Sequence, residues 1–169
     1  SRVHLAYSRV FEADHDHERA LAYALQAWAI EEDGDQPLRQ ADVLNQMGRT
    51  LAKSQRYPEA LPIIQQALAL YAQVHHKDGQ ADALVTIGDI KRALGDHAEA
   101  VESYRASLDL DRELGDRYWE ARVLGQLGRT YLDMCDTARA RVAFHAAQDI
   151  FTDIHPAKAE QIADVLRDL

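Results

Sequence analysis

The chain has 169 residues, 47% hydrophobic and 28% charged, with a formal net charge of −9. This composition fits a soluble globular chain that buries roughly 70% of its unfolded surface, and the sign of the charge disfavours a face built to hold nucleic acid. No apolar run approaches the roughly 20 residues that cross a bilayer, and Cys135, the one cysteine, leaves no internal disulfide framework and no thiolate zinc site.

The first ten residues, SRVHLAYSRV, lack the basic-then-apolar order of a signal peptide and lack a starting Met. A fragment of a longer protein is therefore expected, and the cysteine usage points to a reducing, cytoplasmic setting. A shift of 40 residues then aligns the chain without a gap, as blocks 1–40, 41–80, 81–120 and 121–160. Such a period is the mark of a repeat architecture.

In every block, apolar positions 3, 4, 7 and 11 share one helical face, and positions 20, 24, 27 and 30 share another. The first block turns at DHDH (14–17) and the second at SQRY (54–57). Pro58 suits the start of the second block's second helix. Pro62, four residues on, predicts a late start or a local distortion of that helix. The third block turns at LGDH (94–97) and closes at LGDR (114–117); the fourth turns at MCDT (134–137). Position 20 is Ala20, Ala60, Ala100 and Ala140, and position 8 is Ser8, Gly48, Gly88 and Gly128. These small residues let neighbouring helices approach, while positions 7, 11 and 24 fill the space between them. The tail PAKAEQIADVLRDL predicts a closing helix, about 157–168, with Ile162, Val165 and Leu166 inward and Glu160, Asp164 and Arg167 outward.

The small and large residues at positions 7, 8, 11, 20, 24 and 27 resemble the tetratricopeptide repeat (TPR) signature in order and spacing. Block one departs at His4 and Ser8, and Lys91 stands where that family usually has a large apolar residue. The resemblance implies an all-α fold, a right-handed TPR superhelix of four helix-turn-helix repeats plus a C-terminal capping helix, forming one domain over 1–169. The 40-residue spacing with LGDR linkers is similar to the TPR arrays of large ATPase-type bacterial regulators related to the Streptomyces antibiotic regulatory proteins. It is also similar to animal polarity adaptors of the Leu-Gly-Asn repeat type, which bind helical peptides. Either likeness implies a protein- or peptide-binding module without enzymatic activity or cofactor. An architectural array that drives oligomerisation, through the uncovered first helix, is the other class of reading.

The repeated GRT of residues 48–50 and 128–130 is not a phosphate-binding loop, because it lacks the preceding strand and the flanking Lys-Ser/Thr. Its arginine lies on the helix face opposite the core stripe, which in a TPR array looks into the concave groove. Position 9 there is Arg9, Arg49, Asp89 and Arg129; Asn45, Lys53, Arg92, Arg122 and Gln126 lie nearby, with Asp42, Asp82 and Asp133 opposing. Two readings follow. Asp89 bridges Arg49 and Arg129 in a solvated ladder worth ~1 kcal/mol or less per pair, or the arginines receive carboxylates of a partner segment. In TPR domains that hold a peptide's terminal carboxylate, Lys at position 5 and Asn at position 9 usually do so. Position 5 here is Leu5, Asn45, Val85 and Gly125, so that arrangement is not reproduced.

The histidines form two close pairs, His15/His17 and His75/His76, without a recurring acid or thiol at ligand spacing. Metal binding is not expected, and His17 and His97 at position 17 read as turn residues. Glu31-Glu32 and Asp109–Glu113 read as solvated faces, and Cys135 has no evident partner base, so no catalytic residue is assigned.

Overall fold

A computed structural model of the chain describes residues 2–32 and 34–169. Among the described residues the secondary structure is entirely helical: α1 (Arg2–Ala13), α2 (His17–Glu31), α3 (Pro37–Lys53), α4 (Tyr57–Gln73), α5 (Lys77–Ala93), α6 (His97–Leu114), α7 (Arg117–Asp133), α8 (Thr137–Ile154) and α9 (Pro156–Arg167). No described helix is long and apolar enough to cross a membrane.

Six of the connections are built the same way. His15, Gln55, His75, Gly95, Gly115 and Cys135 all have φ between 55° and 86°, the left-handed conformation that ends a helix. The N–H of the next residue reaches back five positions, as in Asp16 N to Phe11 O (2.9 Å), Arg56 N to Leu51 O (2.9 Å) and Asp136 N to Tyr131 O (2.8 Å). The carbonyls left unpaired at each helix end are thereby satisfied. That next residue also opens the following helix. Asp16, Asp116 and Asp136 accept through Oδ1 from the backbone N–H of Arg19, Trp119 and Arg139 at 3.2, 3.1 and 2.9 Å. His76 does the same through Nδ1, accepting from Gly79 N at 3.0 Å. The His75/His76 pair is thus occupied by the turn, one residue supplying the left-handed bend and the other the cap.

The chain divides into two compact units, Ser1–Ile90 and Lys91–Leu169. In the first, Leu44, Leu51, Ile64, Tyr71 and Ile90 form a core joining α3, α4 and α5. A smaller cluster of Ala24, Ala27, Val43 and Met47 joins α2 to α3. Each large aliphatic side chain so buried contributes about 1.5–3 kcal/mol. Ser8 replaces the usual glycine without loss, because its Oγ donates to Ala20 O at 2.7 Å inside the α1–α2 contact. In the second unit, α7 packs between α6 and α8, and α9 packs on α8. The closing segment turns its residues as the pattern requires: Ala159 is buried, Ile162, Val165 and Leu166 are half-buried, and Glu160, Asp164 and Arg167 are exposed.

The glycine of GRT is a packing residue. A Cβ on Gly128 would lie 2.7 Å from the Phe144 ring, and one on Gly48 would lie 3.0 Å from Ile64 Cβ. Position 8 therefore stays empty because position 24 of the same repeat fills it. Lys91 takes an apolar position by lying along it and sending its amine out to Glu99 at 2.7 Å and Asp96 at 3.5 Å. Pro62 corrects one expectation: α4 does not start late but runs unbroken from Tyr57, with Ala60 N already bonded to Arg56 O at 3.0 Å. Pro62 is exposed, so the Pro58 carbonyl that would have met its missing N–H is left on the hydrated side.

Candidate functional site

In the first unit, the basic residues singled out by the sequence converge on a carboxylate that the pattern did not mark. Glu12, in the last turn of α1, is only 4% exposed. It accepts from Gln46 Nε2 and Lys53 Nζ, and Arg49 Nη2 lies 3.4 Å from its Oε1. Burial raises the pKa of this carboxyl, but the bonds from Lys53 and Gln46 and the charges of Arg49 and Lys53 outweigh burial, and it titrates below the ordinary range. Arg49 also reaches Asp82 on α5, Nη1 to Oδ2 at 3.2 Å. Asn45, buried beside it, donates Nδ2 to the same Oδ2 at 2.7 Å. Asp42, another of the opposing acids, accepts instead from Tyr71 Oη at 2.8 Å. Burial first, and then Asp42, pushes the Tyr71 hydroxyl far above its usual range, so it remains a donor.

Arg49, Lys53 and Asn45 are thus joined to α1 and α5 by fixed polar contacts. Arg9 is exposed, and with Glu12, Gln46, Arg49 and Lys53 it borders a cavity of about 240 Å³. Asp89 is exposed on α5. Glu12 lies three residues beyond Arg9, on the same side of α1. The signal that could have found it is therefore its place one residue from the end of α1, opposite Gln46, Arg49 and Lys53 at i, i+3 and i+7 of α3.

The second unit is arranged differently. Arg92 pairs with Asp133, Nε to Oδ2 at 2.5 Å. Arg122, Arg129 and one further cation border a cavity of about 330 Å³ between α7 and α9, whose lining holds no Asp or Glu among the described residues. Asp116 caps Trp119 into the first turn of α7, and the Arg122 guanidinium lies over the Trp119 ring, 4.3 Å from its centroid. Gln126 and Arg129 follow on the same helix face and line the cavity; Arg129 is exposed and makes no ion pair among the described residues. The third cation is Lys158 of α9, a residue that the helical pattern does not single out. Its Nζ donates to Tyr118 Oη at 2.6 Å and sits 4.6 Å from the Tyr118 centroid and 5.5 Å from that of Phe151. The Lys158 bond and charge hold the Tyr118 hydroxyl below its usual range. Ile162 and Val165 supply an apolar wall, and a Cβ on Gly125 would meet only open space.

Residues 39–113 and again 79–153 match the family described as Tetratricopeptide repeat, together more than half of the chain. The chain belongs to the tetratricopeptide repeat family. No curated protein sequence matches it, but solved structures share its TPR fold. BtubC from P. vanneervenii aligns over 94% of this chain and 67% of its own, at 19% identity and a TM-score of 0.83. Rap protein, solved in complex with Competence and Sporulation Factor, aligns over 96% of this chain at 16% identity and a TM-score of 0.84. The chain spans 46% of the length of that Rap protein. Nearly identical TPR-like repeats from Podosopora anserina align over 99% of this chain and 92% of their own, at 14% identity and a TM-score of 0.77. At these identities the likeness is one of fold.

Proposed function

We propose that this TPR chain is a protein- or peptide-binding module, serving as the sensor or scaffold part of a cytoplasmic bacterial transcriptional or signalling regulator. The TPR family supports an interaction module, and the observation that carries the reading further is the basic cavity face beside α7, lined by Arg122 and Arg129 and by no acid among the described residues. In a chain of net charge −9, such a face is suited to an acidic segment docking as a helix or an extended strand. The fold shared with Rap, whose solved complex holds Competence and Sporulation Factor, supports a peptide as the partner class. Selection from a displayed random-peptide library tests it: peptides retained by the chain should lose binding to an Arg129→Glu variant. Retention undiminished by charge reversal at Arg129, Arg122 and Arg9 would overturn the reading.

A second reading rests on a different face. Val3, Tyr7 and Val10 on α1 are 65%, 50% and 55% exposed, whereas their equivalents Val43, Met47 and Thr50 on α3 are 1%, 7% and 0% exposed. We propose that this uncovered stripe mediates self-association. Light scattering should then give a mass above that of one chain, and a Tyr7→Glu variant should return it to the monomer value.

A further inference from the structure

We infer that the cavity between α7 and α9 is a subsite for a carboxylate carried next to an aliphatic side chain, on the peptide that the module reading supposes. The inference rests on that reading for its partner, but on its own geometry for its chemistry. Three cations from two helices, Arg122, Arg129 and Lys158, border one space of about 330 Å³, with no acid in the lining. This is the low end of the size range of small-molecule sites, enough for one residue and not for a bulky ligand.

The three cations are held in different ways, and the differences assign their parts. The Arg122 guanidinium lies over the Trp119 ring, 4.3 Å from its centroid. The ring holds the cation at the cavity, and a guanidinium carries five N–H donors, enough to meet the two oxygens of a carboxylate as well. Lys158 is fixed by the Tyr118 hydroxyl at 2.6 Å and by two aromatic rings, so its ammonium is positioned before a ligand arrives and retains further N–H donors. Arg129 is exposed and without an ion pair among the described residues, so its charge at the cavity is not already taken by an acid. Ile162 and Val165 form the wall beside them. An apolar wall next to cations matches an aliphatic side chain beside a carboxylate, and it gives nothing to a compact, fully hydrated anion such as inorganic phosphate.

In the first unit the corresponding helix face has no such vacancy in charge, because Glu12 and Asp82 already occupy Arg49 and Lys53. The subsite is therefore local to α7 and α9, and its lysine comes from the closing helix.

The test is a nuclear magnetic resonance titration of the isotope-labelled chain, following the Gly125 amide and the Trp119 indole N–H. The probes are N-acetyl-leucine, N-acetyl-glutamyl-leucinamide, N-acetyl-leucinamide and inorganic phosphate. Saturable shifts at both reporters are expected with one or both carboxylate probes and not with the last two. N-acetyl-leucine alone would assign a chain terminus, and N-acetyl-glutamyl-leucinamide alone an internal acidic residue. Arg129→Gln and Lys158→Met should each weaken the effective probe by about tenfold or more, the size of one lost charge-assisted hydrogen bond. Because Lys158→Met keeps an apolar stem over Tyr118 and Phe151, an unchanged amide spectrum elsewhere would show that α9 still docks. The inference is overturned if neither carboxylate probe gives saturable shifts, if the leucinamide or phosphate binds equally well, or if both variants bind as the parent does. Library peptides retained while all four probes fail would sink the subsite and leave the module reading standing; loss of library binding alone would do the reverse.

Discussion

Arg49 and Lys53 in the first unit of this chain and Arg122, Arg129 and Lys158 in the second are used oppositely. In Ser1–Ile90, Arg49 and Lys53 are held by Glu12 and Asp82, so positive charge serves as a fastener between α1, α3 and α5. In Lys91–Leu169, Arg122, Arg129 and Lys158 lie against aromatic rings or water, with no carboxylate in the space they share. The same residue type at the same position of a repeat, Arg49 and Arg129, is a structural part in one unit and a candidate binding group in the other. The helix pattern cannot make that distinction; only the neighbouring acid does.

Removing the acid should break the comparison most strongly. Glu12→Ala leaves Arg49 and Lys53 facing each other without the buried carboxylate, and stability should fall by about 2–3 kcal/mol, below the usual cost of a broken buried pair because both cations are partly hydrated. Chemical denaturation of parent and variant measures it. Gly128→Ala comes next. Its methyl meets the buried Phe144 ring at 2.7 Å, and an overpacking cost of roughly 1–3 kcal/mol exceeds the helix-propensity gain of about 1 kcal/mol. Gly125→Ala, whose methyl meets nothing, should instead stabilise by about that 1 kcal/mol, so the two glycines of one helix change the thermal midpoint in opposite directions.

Acid gives a finer test. The Glu12 carboxyl has a folded-state pKa below its ordinary value, so its contribution is present above the unfolded pKa of about 4.3 and is lost as pH falls through the lower folded value. The stability of the parent should therefore drop across that acid window by more than that of Glu12→Gln, as followed by helical ellipticity against denaturant at stepped pH. The smallest effect is expected at Arg129→Gln, where an exposed side chain without an ion pair should change stability by less than about 0.5 kcal/mol. A loss comparable to that of Glu12→Ala would show that Arg129 also fastens helices, and would dissolve the contrast.

Much of the fold is legible before any coordinates, because position 20 must be alanine, position 8 must be small and the turns recur every 40 residues. Those rules are local or belong to one helix pair. At Pro62 the expected late start does not occur, and only the finished packing reveals that this side of α4 faces water. The helical pattern places Arg9, Arg49 and Arg129 at one repeat position, but it does not show the contacts, about 40 residues apart in sequence, that fix what such residues do: Glu12 with Lys53, Asn45 with Asp82, and Lys158 with Tyr118. A charge pattern alone carries no record of which oppositely charged neighbour has been buried beside it.

The shared residues of the turns set the grammar of the whole chain. When the residue that ends one helix is also the cap of the next, as at Asp16, His76, Asp116 and Asp136, no position in the hinge is spare. One residue inserted inside a helix would rotate the side chains that follow it in that helix by about 100°, exchanging buried alanines for charged neighbours. A whole period of 40 residues brings its own helices, bend and cap, so it is the step in length that leaves every other turn intact.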